Sequence, residues 1–263
     1  MKKLIAVIAS CCFAFVLAGC AQQSQSDSGP DYADDEVMGA LADGLEKRFD
    51  TADKHEQEAD GQTKDDFSES TQVEIEAIAP FRDRQFEDPE LQEAVVSYAN
   101  LLDDMLQLTE EYPVDSEEFI EGWTSLYDER SVSLKQFADD YGLAVDAAHE
   151  ETFEELLRNA NAVEEQTETE DAINGLVSSL VFEKNGDGYG SFTYSAIGEN
   201  TSDISFGNVD ITLSLYDAEG VKVEEAHAYT SAWPVGEKVR FEAFSSIDAA
   251  EIKVAVSYYD IVE

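Results

Sequence analysis

Apolar residues recur at intervals of three and four from about residue 33 to residue 165, the spacing that places them on one face of a helix. The clearest segment has Asp88 as its N-cap and Pro89 in its first turn. Pro113 is expected to end this helix, because proline cannot continue the backbone hydrogen-bond pattern. Its predicted apolar face consists of Leu91, Val95, Tyr98, Leu102, Met105 and Leu108.

Similar patterns predict four more helices. Pro80 is expected to bend or end the second helix near Ala79. Asp115 and Glu118 form a capping-box-like start for the fourth, and Gly142 is expected to close it. The fifth is weaker and is expected to dissolve into the acidic run 164–170, a solvated end or linker. The apolar positions of these four helices are Met38, Leu41, Leu45 and Phe49; Phe67, Ile75 and Ile78; Phe119, Trp123, Leu126, Leu134, Phe137 and Tyr141; and Ala148, Phe153, Leu156 and Leu157.

From about Leu176 the apolar period changes from 3.6 residues to 2, as in strands with one buried face. Val177 is expected to open this β region, and residues 209–217 alternate most regularly. About seven short strands are expected, which is typical of an immunoglobulin-like β-sandwich. The cysteine pair and core tryptophan of antibody domains are missing from the pattern.

Three segments of the β region carry motifs. Residues 196–202 contain Gly-x-Asn before a polar turn, residues 213–217 read Leu-Ser-Leu-Tyr-Asp, and residues 233–237 read Trp-Pro-Val-Gly-Glu ahead of Phe241. Together they resemble the FxLYD domain, a small β-sandwich of prokaryotic surface proteins and lipoproteins. Leu213 stands where that family has phenylalanine, which keeps an apolar side chain on the same face. The resemblance implies a fold and no catalytic residues.

The N-terminus has the pattern of an export signal. Lys2 and Lys3 precede an uncharged run over residues 4–17, which is too short for a permanent membrane span. The run ends in a sequence that resembles the bacterial lipobox, in which signal peptidase cleaves before a cysteine joined to diacylglycerol. The recognition residues implied by this resemblance are Leu17, Ala18 and Gly19, and the lipidated residue is Cys20.

These patterns divide the chain into four parts. Residues 1–19 are the predicted signal peptide and residues 20–32 a lipidated flexible tether. Residues 33–167 are predicted to form an acidic antiparallel helical bundle, and residues 176–263 an immunoglobulin-like β-sandwich. The fold class expected is therefore multidomain α and β.

Charge narrows the possible partners. The chain has 16 basic and 59 acidic residues and a formal net charge of -43. Nucleic acid is therefore not expected as a partner, because its phosphates would be repelled. Of the three cysteines, Cys11 and Cys12 would leave with the signal and Cys20 would carry lipid. No disulfide is then available to the mature chain.

Motifs for catalysis or metal binding are incomplete. His149 begins a zinc-protease-like segment, but Phe153 stands where the second histidine of that site would be. Asn185 and Asp187 begin an EF-hand-like loop, which fails at Tyr189 and again at residue 196. No catalytic residue, metal or cofactor is expected, and the protein is predicted not to be an enzyme.

Three side chains are weak candidates for ligand binding. Arg130 lies within an apolar helical stripe, so it is expected either to pair internally with a helix-borne acid or to contact an anionic ligand. Trp123 belongs to a set of helical aromatic residues, with Tyr98, Tyr127 and Tyr141, that form either core or a groove. Trp233 is expected to plug the β core or, if exposed, to anchor a partner.

The function expected from these features is that of a lipid-anchored cell-envelope protein on the outer face of the bacterial cytoplasmic membrane. It would act as a non-enzymatic surface interaction or scaffolding module with an envelope protein partner. The alternative is a lipoprotein that presents a bound solute or cation to another envelope component. The sequence indicates no oligomeric state.

Overall fold

The computed structural model describes residues 32–58 and 63–262. The predicted signal peptide, Cys20 and nearly all of the predicted tether lie outside the described residues. The described chain has five α-helices followed by a region of antiparallel strands. The helices are α1 (Asp34–Glu58), α2 (Lys64–Ile78), α3 (Pro89–Glu111), α4 (Glu117–Tyr141) and α5 (Glu150–Ser178).

The ends of the helices follow from local sequence. Asp88 caps α3 as predicted, since its carboxylate accepts hydrogen bonds from two backbone amides of the first turn. Pro80 lies in a short 3₁₀ turn directly after α2. Gly142 ends α4 with a left-handed backbone at φ 72°, also as predicted. The predicted start of α4 was wrong by one residue, because Ser116 and not Asp115 is the N-cap.

The predicted linker after the fifth helix is contradicted by the structure. Helix α5 continues without interruption through residues 164–170 to Ser178. Glutamate and glutamine are good helix formers, and Gln166 donates a hydrogen bond across one turn to Glu170 at 2.9 Å. Val177, expected to open the β region, is a buried residue of this helix.

One hydrophobic core lies among the helices. Leu41, Leu45, Leu102 and Met105 are almost fully buried in it, and α4 contributes Phe137. The segment between α4 and α5 folds back onto α1, where Glu46 accepts a hydrogen bond from the amide of residue 146 at 2.7 Å. The helices are thus held by apolar contacts together with polar ties between their connections.

The β region contains two antiparallel three-stranded sheets, with strand orders β1-β2-β5 and β4-β3-β6. The described residues form six strands, whereas about seven were expected from the sequence. Residues of β3 alternate between buried and partly exposed as predicted, and Leu213 is paired with Ala226 and Val254 on either side. The strands are β1 (Glu183–Gly186), β2 (Phe192–Glu199), β3 (Phe206–Tyr216), β4 (Lys222–Thr230), β5 (Lys238–Ser245) and β6 (Glu251–Ile261).

A second hydrophobic core joins the two sheets to the end of α5. Ile173 and Leu176 of α5 pack in the same cluster as Tyr194, Phe206 and Trp233. The long helix therefore contributes its first turns to the helical core and its last turns to the β core. No helix in residues 32–58 and 63–262 combines the length and apolarity that crossing a bilayer requires.

Candidate ligand-binding site

A buried charged cluster lies at the centre of the helical region. Glu74 of α2 is 1% exposed, and its carboxylate accepts hydrogen bonds from three side chains on other helices. Arg48 Nη1 of α1 lies 2.7 Å from Glu74 Oε2. Arg130 of α4 donates from Nε and Nη2 to the two carboxylate oxygens, at 3.1 and 3.2 Å. The hydroxyl of Tyr98 on α3 donates to Oε1.

Close approach of α1 and α2 positions this cluster. A Cβ placed on Gly44 would lie 2.8 Å from Ala77 Cβ and 3.6 Å from Glu74 Cα, so the two helices meet where one of them has no side chain. Arg48 lies one turn after Gly44 on the same helix, which brings its guanidinium onto the Glu74 carboxylate. A glycine inside α1 thus determines which acid Arg48 reaches.

The cluster carries one more positive than negative charge. Burial opposes ionisation of Glu74, but the two arginines outweigh it and lower the pKa of its carboxyl. Burial also opposes the charge of Arg130, but the Glu74 carboxylate raises the pKa of Arg130 above its usual range. The pKa of Arg48 is instead lowered, by burial and by the charge of Arg130. Arg130 binds both carboxylate oxygens of Glu74 through two hydrogen bonds, whereas Arg48 donates one.

A cavity of about 240 Å³ adjoins this cluster. It lies between α1, α2, α4 and α5, with Arg48 and Arg130 among its lining residues. Phe49, Phe67, Trp123, Tyr127 and Leu156 supply its apolar walls. Ala52, Thr152 and Glu155 also line it and are exposed, which places them at the opening to solvent.

The aromatic wall is held in a defined orientation. The rings of Phe67 and Trp123 meet edge to face with centroids 4.6 Å apart. Phe119 stacks on Trp123 with 5.6 Å between centroids and 18° between planes, and it also meets Phe67 edge to face at 5.2 Å. Because each ring packs against the other two, the three side chains lose little further freedom on ligand binding and this wall is preorganised.

Acidic residues surround His55 at the edge of the cavity. His55 Nδ1 lies 2.8 Å from Asp66 Oδ1, and Nε2 lies 3.2 Å from Glu69 Oε2 without hydrogen-bond alignment. The backbone amide of Thr63 donates to the Asp66 carboxylate and is the main cause of the lowered pKa of that group. The edge of the cavity is therefore anionic, whereas its base is cationic.

The helical candidates from the sequence divide between core and cavity. Arg130 pairs with a helix-borne acid, Glu74, and is also one of the residues that line the cavity. Trp123 and Tyr127 line the cavity, whereas Tyr98 is fully buried beneath it and Tyr141 packs at the edge of the helical core.

Sequence reasoning missed Glu74 and Arg48. A signal for Glu74 was present, because it lies between Thr71 and Ile78 on the buried side of α2. A charged residue on a buried face requires a partner of opposite charge. This argument was made for Arg130 but not for Glu74.

Trp233 lies in the β core rather than on the surface. It is fully buried and meets Phe241 edge to face at 5.1 Å. The backbone carbonyl of Trp233 accepts a hydrogen bond from the side-chain amide of buried Asn200 at 2.7 Å. The backbone of Asn200 forms hydrogen bonds with the backbone of Gly236 and Glu237. The Gly-x-Asn and Trp-Pro-Val-Gly-Glu segments are thus joined, and Trp233 packs there as a core residue.

A second polar cluster connects α1 to the segment before α5. His149 Nδ1 lies 2.7 Å from Asp146 Oδ1, and Nε2 lies 3.2 Å from Asp50 Oδ1. Glu46, Asp146 and His149 can bring one ligand atom each within 4.8 Å of one another. Hydrogen bonds within the cluster use these atoms, so the arrangement is explained as a tie between α1 and this segment.

Buried acids bear on whether the cavity could support hydrolysis. Among the buried residues of the described chain, Glu74 is the one carboxylate, and its hydrogen bonds to two arginines and a tyrosine keep it ionised. A pair of buried carboxyl groups in one cleft would support acid–base catalysis. The other acids that line the cavity, Asp66 and Glu155, are not buried.

Comparison with known proteins adds little. No family model matches the chain, and no match is found among curated proteins. IrmA from Escherichia coli is 17% identical over 31% of this chain and 72% of its own, with a TM-score of 0.25. A DNA-bound alkylpurine DNA glycosylase, AlkC from Pseudomonas fluorescens, is 10% identical over 81% of this chain and 72% of its own, with a TM-score of 0.21. Both scores are too low to carry an argument about function.

Proposed function

We propose that this protein is an exported, lipid-anchored lipoprotein of the cell envelope that binds a small solute in the cavity between α1, α2, α4 and α5. The observation that carries the proposal is the pair of buried guanidiniums beside an open, aromatic-walled cavity. The protein would present this solute to another envelope component, which is the alternative function expected from the sequence.

The energetics of the cluster support a binding role. Removing an arginine from water costs several kcal/mol unless its charge and donors are matched. One bidentate arginine would satisfy Glu74, and Arg130 already has that geometry. Arg48 adds a second buried charge, and its guanidinium donates only one hydrogen bond to the described residues. A fold that needed only stability would not gain from this second cation, whereas an anion site would.

The anchor and the domain architecture belong to the same proposal. The lipobox-like sequence ending at Cys20 would hold the chain to the membrane, and residues 20–32 would form a flexible tether between the lipid anchor and the helices. We take the helices α1 to α5 as an antiparallel helical bundle, and the two sheets as a sandwich of the immunoglobulin-like, FxLYD type. The helices and the sheets have separate hydrophobic cores, and the two sheets share one of them, which supports this view.

A scaffolding role is the second candidate. Ile197 of β2 and Phe244 of β5 are 58% and 72% exposed. Their registered partners place both side chains on the outer face of the sheet β1-β2-β5. An envelope protein partner would cover this face. Co-purification of one defined protein that is lost in a Phe244→Ser variant would support the scaffolding role.

Thermal unfolding with a defined solute library tests the binding role. The mature chain with Cys20→Ser needs no detergent, and a Trp233→Phe variant leaves Trp123 as the one tryptophan of the chain. A bound solute is expected to raise the unfolding temperature and change Trp123 fluorescence together, because a ligand stabilises the folded state by RT ln(1 + [L]/Kd). If no small organic anion, cation or neutral solute does both at millimolar concentration, the proposed function is wrong.

A further inference from the structure

The charge at the base of the cavity indicates the charge of its ligand. Two guanidiniums face one carboxylate, which leaves one positive charge without a partner. Glu74 already accepts four hydrogen bonds, so its oxygens have no capacity left for a cation. A ligand with one negative charge neutralises this cluster, whereas a cationic ligand adds repulsion at short range and low dielectric.

The donors point to a carboxylate. The guanidinium of Arg48 uses Nη1 for Glu74, and its other donors make no further hydrogen bond to the described residues. Arg48 and Arg130 both line the cavity. Planar guanidinium groups match the two oxygens of a carboxylate, which gives shorter and stronger hydrogen bonds than those between neutral groups.

The acidic edge disfavours a second negative charge. Asp66 and Glu155 line the cavity, and His55 lies between Asp66 and the neighbouring Glu69. The whole chain carries a formal net charge of -43. A dianion such as phosphate would gain from the base of the cavity but would be repelled by both the edge and the wider protein.

The walls and the volume define the rest of the ligand. A cavity of about 150 Å³ is known to hold benzene, so the 240 Å³ present here suits roughly ten non-hydrogen atoms. Trp123, Tyr127 and Phe67 line one side with ring faces and edges, which pack well against a flat apolar group. Phenylacetate has about this size, charge and shape.

We propose that the ligand of this cavity is a small monocarboxylate that carries one aromatic ring or an equally flat apolar group. The inference rests on the proposed binding function and names the chemical class of the solute. The carboxylate would lie on Arg48 and Arg130, and the ring would lie against Trp123 and Tyr127.

Isothermal titration with four matched probes tests this proposal. Phenylacetate supplies the ring and the charge, benzyl alcohol the ring alone, acetate the charge alone, and benzylamine the ring with the opposite charge. Phenylacetate is expected to bind at least about tenfold more tightly than any other probe, since both halves of the site are used together.

Variants assign the binding to the arginine. Arg48→Met is expected to weaken phenylacetate by about thirtyfold or more and to leave benzyl alcohol unchanged. Arg82→Met is the matched control, because Arg82 pairs with Asp103 away from the cavity and its loss should change neither affinity. If Arg48→Met does not fold, Arg48→Lys keeps the charge without the planar fork and is expected to bind phenylacetate more weakly than the unmodified protein.

The results separate the two proposals. Equal affinity for benzyl alcohol and phenylacetate would overturn the carboxylate assignment while leaving a solute-binding cavity. Equal affinity for acetate and phenylacetate would overturn the aromatic part. Tighter binding of benzylamine would overturn the charge argument. No binding of any probe, with the unmodified protein folded, would overturn this proposal, and a negative solute library would then remove the proposed function as well.

Discussion

Replacement of Glu74 by glutamine removes the one negative charge between two buried arginines while keeping the side chain's size. Arg130 is 1% exposed and Arg48 is 7% exposed, so neither guanidinium can be fully hydrated without a structural change. Removing one partner of a buried ion pair costs about 3–5 kcal/mol, because the charge left behind is uncompensated. The cavity gives water some access to Arg48, which places our expectation at the lower end, about 3 kcal/mol.

Urea denaturation followed by circular dichroism at 222 nm measures this loss of unfolding free energy. In a domain of this size, about 3 kcal/mol corresponds to a fall of roughly 6–12 °C in the unfolding temperature. Glu76→Gln is the matched control, because it makes the same charge change on the exposed side of α2. That control is expected to change stability by no more than about 0.5 kcal/mol.

A double variant tests the physical cause. Glu74→Gln combined with Arg48→Met leaves one arginine in the cluster, so it is expected to be more stable than the sum of the two single changes predicts. A loss below about 1 kcal/mol in Glu74→Gln, or strictly additive effects in the double variant, would refute the reasoning that buried like charges dominate this cluster.

Three further results are expected. Burial opposes the charge of His149, but its two carboxylate partners raise its pKa above 6.5, so the stability it adds is present below that pH and is lost as pH rises through the folded value. Urea midpoints at pH 6 and pH 8 should therefore differ more in the unmodified protein than in a His149→Gln variant, and equal differences would contradict this. Gly198→Ala would place a Cβ 2.8 Å from the Trp233 ring and should cost about 1–3 kcal/mol, whereas Gly175→Ala, with open space around it, should be neutral or slightly stabilising. Cys20→Ser should move the protein from the membrane fraction to the soluble fraction and abolish the lipid mass at the N-terminus; unchanged fractionation would count against the anchor.

Local patterns predicted most of the secondary structure. The N-cap at Asp88 and the left-handed stop at Gly142 depend on side chains within one turn of the helix end, so sequence reasoning found both. The alternation of β3 was also readable, because each residue's face follows from its neighbours. The six strands within the described residues were fewer than expected.

The error at α5 has a tertiary cause. The acidic run 164–170 contains no helix breaker, and only its polar composition favoured a linker there. Ile173 and Leu176 extend the apolar face of the same helix onto the β core. Whether a polar segment continues a helix or becomes a linker depends on what packs beyond it, which the local pattern does not contain.

By itself the sequence determined that five helices precede a β region, that Arg130 requires an internal acid or an anionic ligand, and that the N-terminus resembles a lipoprotein signal. Tertiary structure decided that the partner is Glu74, 56 residues earlier, and that Arg48 joins them. It also decided that four helices leave a cavity beside these charges. Periodicity specifies which face of each helix is buried, but a cavity and its charge arise from how the helices meet, through contacts between residues far apart in the chain.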